Sequence, residues 1–231
     1  MNTKFNVTDK IGDVVTIFPG ASNLFLEYKI DFCCGGNRPL IEAIKEQKLD
    51  ENKIVTLLNE SYEEFVKRDE EYIDWAKENP SELAQFVVSK YHAFLNKELP
   101  KLSELTLKIL KVHGKRHAEL YRVHKLFNTL RTELEEHLVK EEELIFPMIK
   151  EYEEQKTNYN KEKLLKLINE LESEHTGAGD IIKELREVTD HYKVPKDACG
   201  TFELTYKRLQ ELEQDTFLHI HLENNILFKN I

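Results

Sequence analysis

Two His-x-x-x-Glu pairs are the residues of this sequence best suited to do chemistry. His137 and Glu141 form the first pair, and His219 and Glu223 form the second. Side chains at i and i+4 of an α-helix lie one turn apart on the same face, so each pair can reach a common point. Imidazole nitrogen and carboxylate oxygen are ligands that iron and manganese accept. The spacing therefore predicts a metal site to which each pair contributes two ligands.

Each pair lies within an apolar stripe of helical period, which indicates that it faces a protein core. Burying an imidazole and a carboxylate without partners costs several kcal/mol. A histidine satisfied by its own helical carboxylate would explain one pair, but two pairs on two inward faces favour a shared metal site between helices. The stripes are Leu120, Val123, Phe127, Leu130, Leu134, His137, Glu141, Leu144, Met148 and Phe202, Thr205, Leu209, Leu212, Thr216, His219, Glu223, Ile226.

Two further stripes carry one histidine each, His92 and His175. Short connections between the four stripes make sequential helices antiparallel neighbours. The predicted fold class is therefore all-α, an antiparallel up-down-up-down four-helix bundle with a small N-terminal helical domain. The four long helices are predicted at 80–113, 118–154, 160–191 and 198–230.

The collected side chains predict a non-haem di-iron centre. With four imidazoles, two carboxylates and no thiolate, the donor set favours iron or manganese over structural zinc or calcium. If both carboxylates bridge and an oxo or hydroxo group joins two ions, about one open position remains on each ion for a small molecule. The predicted ligands are His92, His137, Glu141, His175, His219 and Glu223.

The other five histidines are expected to be structural. His221 lies about 200° around the helix from His219 and should face solvent or make an outer contact to the site. His113 follows its stripe but lies roughly 31 Å beyond His92. His117 is expected in a turn, while His124 and His191 fall off the stripes.

The sequence predicts less about four acidic or thiol residues that lie close to these motifs. Glu174 is either an outer partner of the metal ligands or an ordinary charged helix residue. Glu142 and Glu143 are expected on a solvated face. Cys199, near the start of the last helix, is expected to pack rather than to react.

The N-terminal part contains Asp31-Phe32-Cys33-Cys34-Gly35-Gly36, the other motif able to do chemistry. Either the glycines place both thiols at the start of the next helix, where thiolate is favoured, or the cysteines are small buried residues at a tight turn. The predicted organisation is a small helical domain at 1–60, a charged connector at 61–79 and the bundle at 80–231.

Composition excludes several function classes. A formal net charge of −10 argues against a nucleic-acid or anionic membrane partner. No apolar run approaches the roughly 20 residues of a membrane helix. Three cysteines and a polar N-terminus without a signal-peptide core predict reduced thiols in the cytoplasm.

Several motifs in register resemble one family. His-x3-Glu-Glu-x-Leu-Ile-Phe-Pro-Met-Ile (137–149), Glu-Ser-Glu-His-x2-Ala-Gly (172–179) and His-Ile-His-Leu-Glu-Asn-Asn-x-Leu-Phe (219–228) look like the hemerythrin-like domain of iron–sulfur cluster repair di-iron proteins of the YtfE/ScdA or RIC type. The Cys-Cys-Gly-Gly motif resembles the signature of that family's N-terminal domain.

The resemblance implies the same six ligands, with Glu141 and Glu223 bridging two iron ions. It also implies repair of iron–sulfur clusters damaged by nitric oxide or peroxide, with iron–sulfur proteins as clients, and it is compatible with a homodimer. Cys33 and Cys34 are taken as functional in this family. Three functions stay open: a repair protein that donates iron or removes nitric oxide, a reversible oxygen or nitric oxide binding module, and a nitric oxide reductase with Cys33 and Cys34 as electron source.

Overall fold

The computed structural model describes residues 4–68 and 73–231, with residues 158–160 described in their backbone only. All the regular elements in these ranges are helical, which confirms the predicted all-α class. Contacts divide the chain into a terminal unit, Met1–Leu83 with Phe217–Ile231, and a bundle unit, Ala84–Thr216. The predicted domain limits at residues 60 and 79 stay a prediction, and residues 69–72 of the connector lie outside the described ranges.

The terminal unit begins with four helices around an aromatic cluster. The ring of Tyr62 lies 5.1 Å from that of Phe5 and 5.7 Å from that of Phe18, and Phe65 lies 5.2 Å from Phe18. Because Tyr62 and Phe65 anchor it, the fourth helix continues to Arg68, into the segment predicted as a connector. The helices are α1 (Ile11–Ile17), α2 (Ala21–Glu27), α3 (Leu40–Glu46) and α4 (Glu51–Arg68).

Antiparallel helices form the bundle unit, as predicted. Thr106 Oγ1 lies 3.0 Å from His124 Nδ1, and Ser103 Oγ donates to Asn128 Oδ1 at 3.1 Å, so residue numbers rise along one helix as they fall along its neighbour. The helices after the connector are α5 (Pro80–Val87), α6 (Ala93–His113), α7 (Glu119–Lys140), α8 (Phe146–Gln155), α9 (Asn158–Val188) and α10 (Gly200–Leu222). Among the described residues, no helix is long and apolar enough to span a membrane.

Across residues 4–68 and 73–231, three π-helical turns interrupt the long helices, and the periodic stripes did not predict them. A π turn bonds i to i+5 and therefore adds about one residue to the turn. The inward face shifts by one position: Leu144, a predicted core residue, is 38% exposed, whereas Ile145 and Ile149 are fully buried. The turns are π1 (Val88–His92), π2 (Glu141–Ile145) and π3 (Glu223–Leu227), followed by a short 3₁₀ turn at Phe228–Asn230.

A buried ion pair joins α9 to α10 within the bundle unit. Arg186 contacts the carboxylate of Glu213, and the hydroxyl of Tyr192 donates to Glu213 Oε2 at 2.6 Å. Glu213 is only 3% exposed. Removing one partner of a buried ion pair leaves the other charge without compensation in a medium that solvates it poorly.

We expect Glu213→Ala to lower the free energy of unfolding by roughly 3–5 kcal/mol, because Arg186 would stay buried without its carboxylate. The matched control is Glu211→Ala, which removes a surface pair with Lys207 at 3.9 Å and should cost less than about 1 kcal/mol. Urea unfolding followed by circular dichroism measures both, and equal losses for the two variants would contradict this account of the α9–α10 contact.

Candidate metal centre

The carboxylate of Glu141 lies at the centre of the predicted ligands of the bundle unit. Its Oε2 is 3.3 Å from His92 Nε2, while its Oε1 is 3.2 Å from His137 Nε2 and 3.9 Å from His175 Nε2. The two oxygens thus face two separate groups: Oε2 faces the single imidazole of His92, and Oε1 faces the imidazoles of His137 and His175. This is the arrangement in which one carboxylate can bridge two metal ions.

The second of these groups is compact enough to surround an ion. The ligand atoms of His137, His175 and Glu141 all lie within 4.8 Å of one another, and the two Nε2 atoms are 2.9 Å apart. All three side chains are buried. A dry cluster of nitrogen and oxygen donors around an ionisable carboxylate fits a di- or trivalent cation such as iron, whereas the absence of thiolate from this set disfavours a structural zinc site.

Two acidic residues fix the orientation of the imidazoles. His92 Nδ1 lies 2.8 Å from Glu142 Oε1, and His137 Nδ1 lies 2.8 Å from Glu174 Oε2. A proton held at Nδ1 by a carboxylate leaves the lone pair on Nε2, the atom that faces Glu141. The hydrogen bond from His137, assisted by Lys140, lowers the pKa of Glu174 to about 2, so this carboxylate is ionised at neutral pH.

Glu142 is exposed, as expected, but it makes a contact with a predicted ligand that the sequence reasoning missed. It was expected on a solvated face, because it follows Glu141 by one position and lies off the stripe. In the structure π2 begins at Glu141, and Glu142 reaches the ring of His92 from the adjacent helical segment. For Glu174 the sequence left two interpretations open, an outer partner of the metal ligands or an ordinary charged helix residue. Its contact with the predicted ligand His137 favours the first.

The three π turns coincide with predicted ligands. His92 ends π1, Glu141 begins π2 and Glu223 begins π3. A π turn has poorer hydrogen bonding than an α-helix and is found mostly at functional sites, where the extra residue re-aims a side chain. Its occurrence at these three positions supports their assignment as ligands.

The terminal unit holds the remaining pair of predicted ligands. His219 Nε2 lies 3.0 Å from Glu223 Oε1, across one helical turn, and both side chains are buried. The structure thus brings together His92, His137, Glu141 and His175 within one unit, and His219 and Glu223 within the other.

The C-terminal segment of the terminal unit also holds the turn that carries the two adjacent cysteines. Asn225 Nδ2 donates to the carbonyl oxygens of Phe32 at 3.2 Å and Cys33 at 2.9 Å. A Cβ atom built on Gly12 or Gly36 would lie 2.5 or 2.4 Å from Asn225 Oδ1. These two glycines are therefore required by the close approach of the asparagine.

The adjacent cysteines lie in a turn rather than at a helix start. Helix α3 begins only at Leu40, so the predicted alternative in which the helix favours thiolate is wrong. Asp31 Oδ1 accepts the backbone N–H groups of Cys33 and Cys34 and the Cys33 thiol. The hydrogen bond to Cys34, burial and the charge of Asp31 raise the pKa of Cys33 well above its usual range. Cys33 is thus a buried thiol, and Cys34 is partly exposed.

Of the two expectations for His221, an outer contact to the site or exposure to solvent, the second is wrong. Its side chain is 2% exposed, its Nδ1 lies 3.4 Å from the carbonyl oxygen of Phe32, and burial lowers its pKa to about 4. The periodicity of one helix identifies the face turned towards the bundle, but it cannot show that residues 32–36 cover another face.

The other non-ligand histidines lie mainly where the sequence placed them. His117 lies in the turn before α7, and His124 contacts Thr106. His113 is buried and lies 3.2 Å from Cys199, whose side chain is exposed. Cys199, which was expected to pack rather than to react, therefore has an accessible thiol.

Comparison with known proteins agrees with this arrangement. The ScdA N-terminal domain of unknown function (DUF542) matches residues 7–62, and the hemerythrin HHE cation binding domain matches residues 84–231. The iron–sulfur cluster repair protein ScdA of Staphylococcus haemolyticus is 34% identical over 219 residues, covering 94% of this chain and 95% of that protein. The chain belongs to the ScdA/YtfE family of iron–sulfur cluster repair proteins.

Relatives in other bacteria show the same full-length similarity. YtfE of Edwardsiella ictaluri is 32% identical over 218 residues, covering 94% of each chain. A probable iron–sulfur cluster repair protein of Haemophilus influenzae is 31% identical over 222 residues, covering 96% of each. The cation-binding domain and the buried His and Glu groups together identify this ScdA/YtfE family member as a metal-binding protein.

We expect Glu142→Ala to weaken iron binding by roughly 10–100-fold, because the ring of His92 loses the acceptor that fixes its orientation. Glu143→Ala is the matched control: this neighbour is exposed and lies one position further along the same π turn. Competition with a chelator of known affinity measures the loss. Equal affinities for the two variants would contradict the role given to Glu142.

Proposed function

We propose that this ScdA/YtfE family member is a di-iron protein that repairs iron–sulfur clusters damaged by nitrosative or oxidative stress. The observation that carries the proposal is the position of Glu141, whose two oxygens face His92 on one side and His137 and His175 on the other. The names of the relatives supply the repair role, and iron–sulfur proteins are then its clients.

The proposed iron ligands are His92, His137, Glu141, His175, His219 and Glu223. The inclusion of His219 and Glu223 is supported by their place in an apolar stripe of helical period and by the burial of both side chains. The cation-binding family match, which runs unbroken from 84 to 231, covers all six residues.

The protein's own residues prepare and protect the centre. When bound, iron supplies open coordination positions that can exchange or capture a small ligand such as nitric oxide or oxygen. Glu142 and Glu174 hold the protons of His92 and His137 at Nδ1, and so keep Nε2 available for coordination. The apolar stripes around these residues exclude bulk water, which strengthens the attraction of the carboxylates for a cation.

Two modes of repair follow from such a site. The protein either donates iron to a damaged cluster or removes nitric oxide bound to it. The net charge of −10 favours protein clients and small ligands over nucleic acid. We place this activity in the cytoplasm.

We expect the purified protein to contain about two iron ions per chain and to restore a nitrosylated iron–sulfur enzyme. Glu141→Leu should lose most of this iron and the repair activity with it, because the variant has no carboxylate between His92 on one side and His137 and His175 on the other. Glu143→Leu serves as the control for added apolar surface. Elemental analysis and recovery of client activity are the two readouts; Glu141→Leu protein that repaired clusters at the normal rate would refute the proposal.

A second candidate function, nitric oxide reduction, is favoured by the contact of the cysteine turn with the segment that carries His219 and Glu223. Asn225 and His221 of this segment both reach the carbonyl of Phe32. Oxidation of Cys33 and Cys34 to a disulfide releases two electrons and two protons, which is what reduction of two nitric oxide molecules to nitrous oxide and water consumes.

Nitrous oxide formation with a thiol reductant separates this candidate from cluster repair alone. We expect Cys33→Ser and Cys34→Ser each to slow turnover at least tenfold while iron content stays unchanged, if these thiols deliver the electrons. Cys199→Ser controls for the loss of a thiol elsewhere. Gas chromatography measures the product, and unaltered turnover in the Cys33 and Cys34 variants would exclude them as the electron source.

A further inference from the structure

A second group of reactive side chains lies at the other end of the bundle unit, where α6 ends and α10 begins. Cys199 Sγ is 3.2 Å from Nε2 of His113, the last residue of α6. His113 is 4% exposed, and its Nδ1 is buried without a hydrogen-bond partner among the described residues. In the part of the chain that the structure describes, the thiol of Cys199 is thus the only hydrogen-bond partner of this buried imidazole ring.

The position of Cys199 at the start of α10 adds further stabilisation of a thiolate. It immediately precedes Gly200, the first residue of the helix, and the backbone N–H groups of Thr201 and Phe202 in the first turn stabilise negative charge on its sulfur. The N-terminus of a helix favours negative charge. The hydrogen bond from His113, followed by these backbone groups, lowers the pKa of Cys199 to about 7.

The ionisable groups around the thiol are mutually paired. His117 Nε2 lies 3.0 Å from Asp197 Oδ1, and its Nδ1 lies 3.1 Å from Glu119 Oε1. Arg116 also pairs with Asp197, at 3.4 Å. The ring of His117 packs edge-on to that of His113, with 6.2 Å between centroids. These contacts hold the cationic and anionic neighbours in fixed places while leaving the sulfur exposed.

This group is unlike a metal site. Among the described residues, the donors of His113, His117, Asp197 and Cys199 do not converge within 4.8 Å of one another, as those of the candidate metal centre do. An accessible thiolate with one buried imidazole partner is suited instead to nucleophilic attack.

We propose that Cys199, positioned by His113, is a site of thiol–disulfide exchange with low-molecular-weight disulfides. The thiolate attacks one sulfur of the small disulfide, a new bond forms between that sulfur and Cys199 Sγ, and the other half leaves as a thiolate. A small thiol reverses the reaction by attacking the mixed disulfide. No electron donor or acceptor other than the small disulfide and thiol is needed.

The buried Cys33 provides an internal contrast. Both thiols belong to the same chain, but Cys33 is 1% exposed and its pKa is raised, whereas Cys199 is exposed and its pKa is lowered. Exchange requires both access and thiolate. Under limiting disulfide, the modification should therefore concentrate on Cys199.

The test is the reaction of the full-length, iron-loaded protein with glutathione disulfide, quenched at intervals and mapped by peptide mass spectrometry. Cys199 should form the mixed disulfide at least tenfold faster than Cys33. The rate at Cys199 should rise with pH and reach half its maximum near pH 7. His113→Gln should raise this midpoint towards roughly 8.5, the value of an ordinary thiol, without reaching it, because the helix N-terminus still stabilises the thiolate.

The control for the loss of an imidazole is His124→Gln, because His124 contacts Thr106 rather than the thiol. This variant should keep the midpoint of the wild-type protein. If His113→Gln fails to fold, the wild-type titration and the ratio of rates at Cys199 and Cys33 still decide the matter. A wild-type midpoint of about 8.5 or higher, a midpoint unmoved in folded His113→Gln, or faster reaction of Cys33 would overturn the proposal.

Discussion

The structure depends on one constraint: a carboxylate, Glu141, is buried with no exposed surface among the imidazoles of three helical segments. Such a group is costly to remove from water, and a cation held between its oxygens and the surrounding nitrogens offsets that cost. The apolar stripes, the antiparallel helices and the outer carboxylates Glu142 and Glu174 all serve to keep this group in one orientation. Metal binding and the stability of the bundle are therefore expected to be coupled.

Much of the fold and most of the site could be predicted from the sequence, because both follow the period of the α-helix. His92, His137, Glu141 and His175 occupy inward positions among Leu and Ile residues, and the structure places these four side chains together. These four ligands could be predicted without knowing the conformation of the loops, because each helix presents one face to the core. The joining of His219 and Glu223 to this group stays a proposal.

The residues that were predicted wrongly lie where the helical period is broken or where another segment packs. The prediction that Leu144 is a core residue is wrong because π2 shifts the inward face to Ile145, and a π turn has no simple sequence signal. The expectation that His221 is exposed to solvent is wrong because Phe32, nearly 190 positions away in the chain, covers it. The contact between Cys199 and His113 was missed because His113 was considered only for its distance from the predicted metal site. Pairing between residues distant in sequence is invisible to periodicity.

X-ray absorption at the iron edge tests the central claim most directly, because it measures the iron–iron distance in the full-length protein. If Glu141 bridges two ions, the spectrum of the loaded protein contains an iron–iron vector of roughly 3.5–4 Å or shorter, and this vector is absent from Glu141→Leu. A wild-type spectrum with nitrogen and oxygen neighbours but no iron–iron vector would contradict the account.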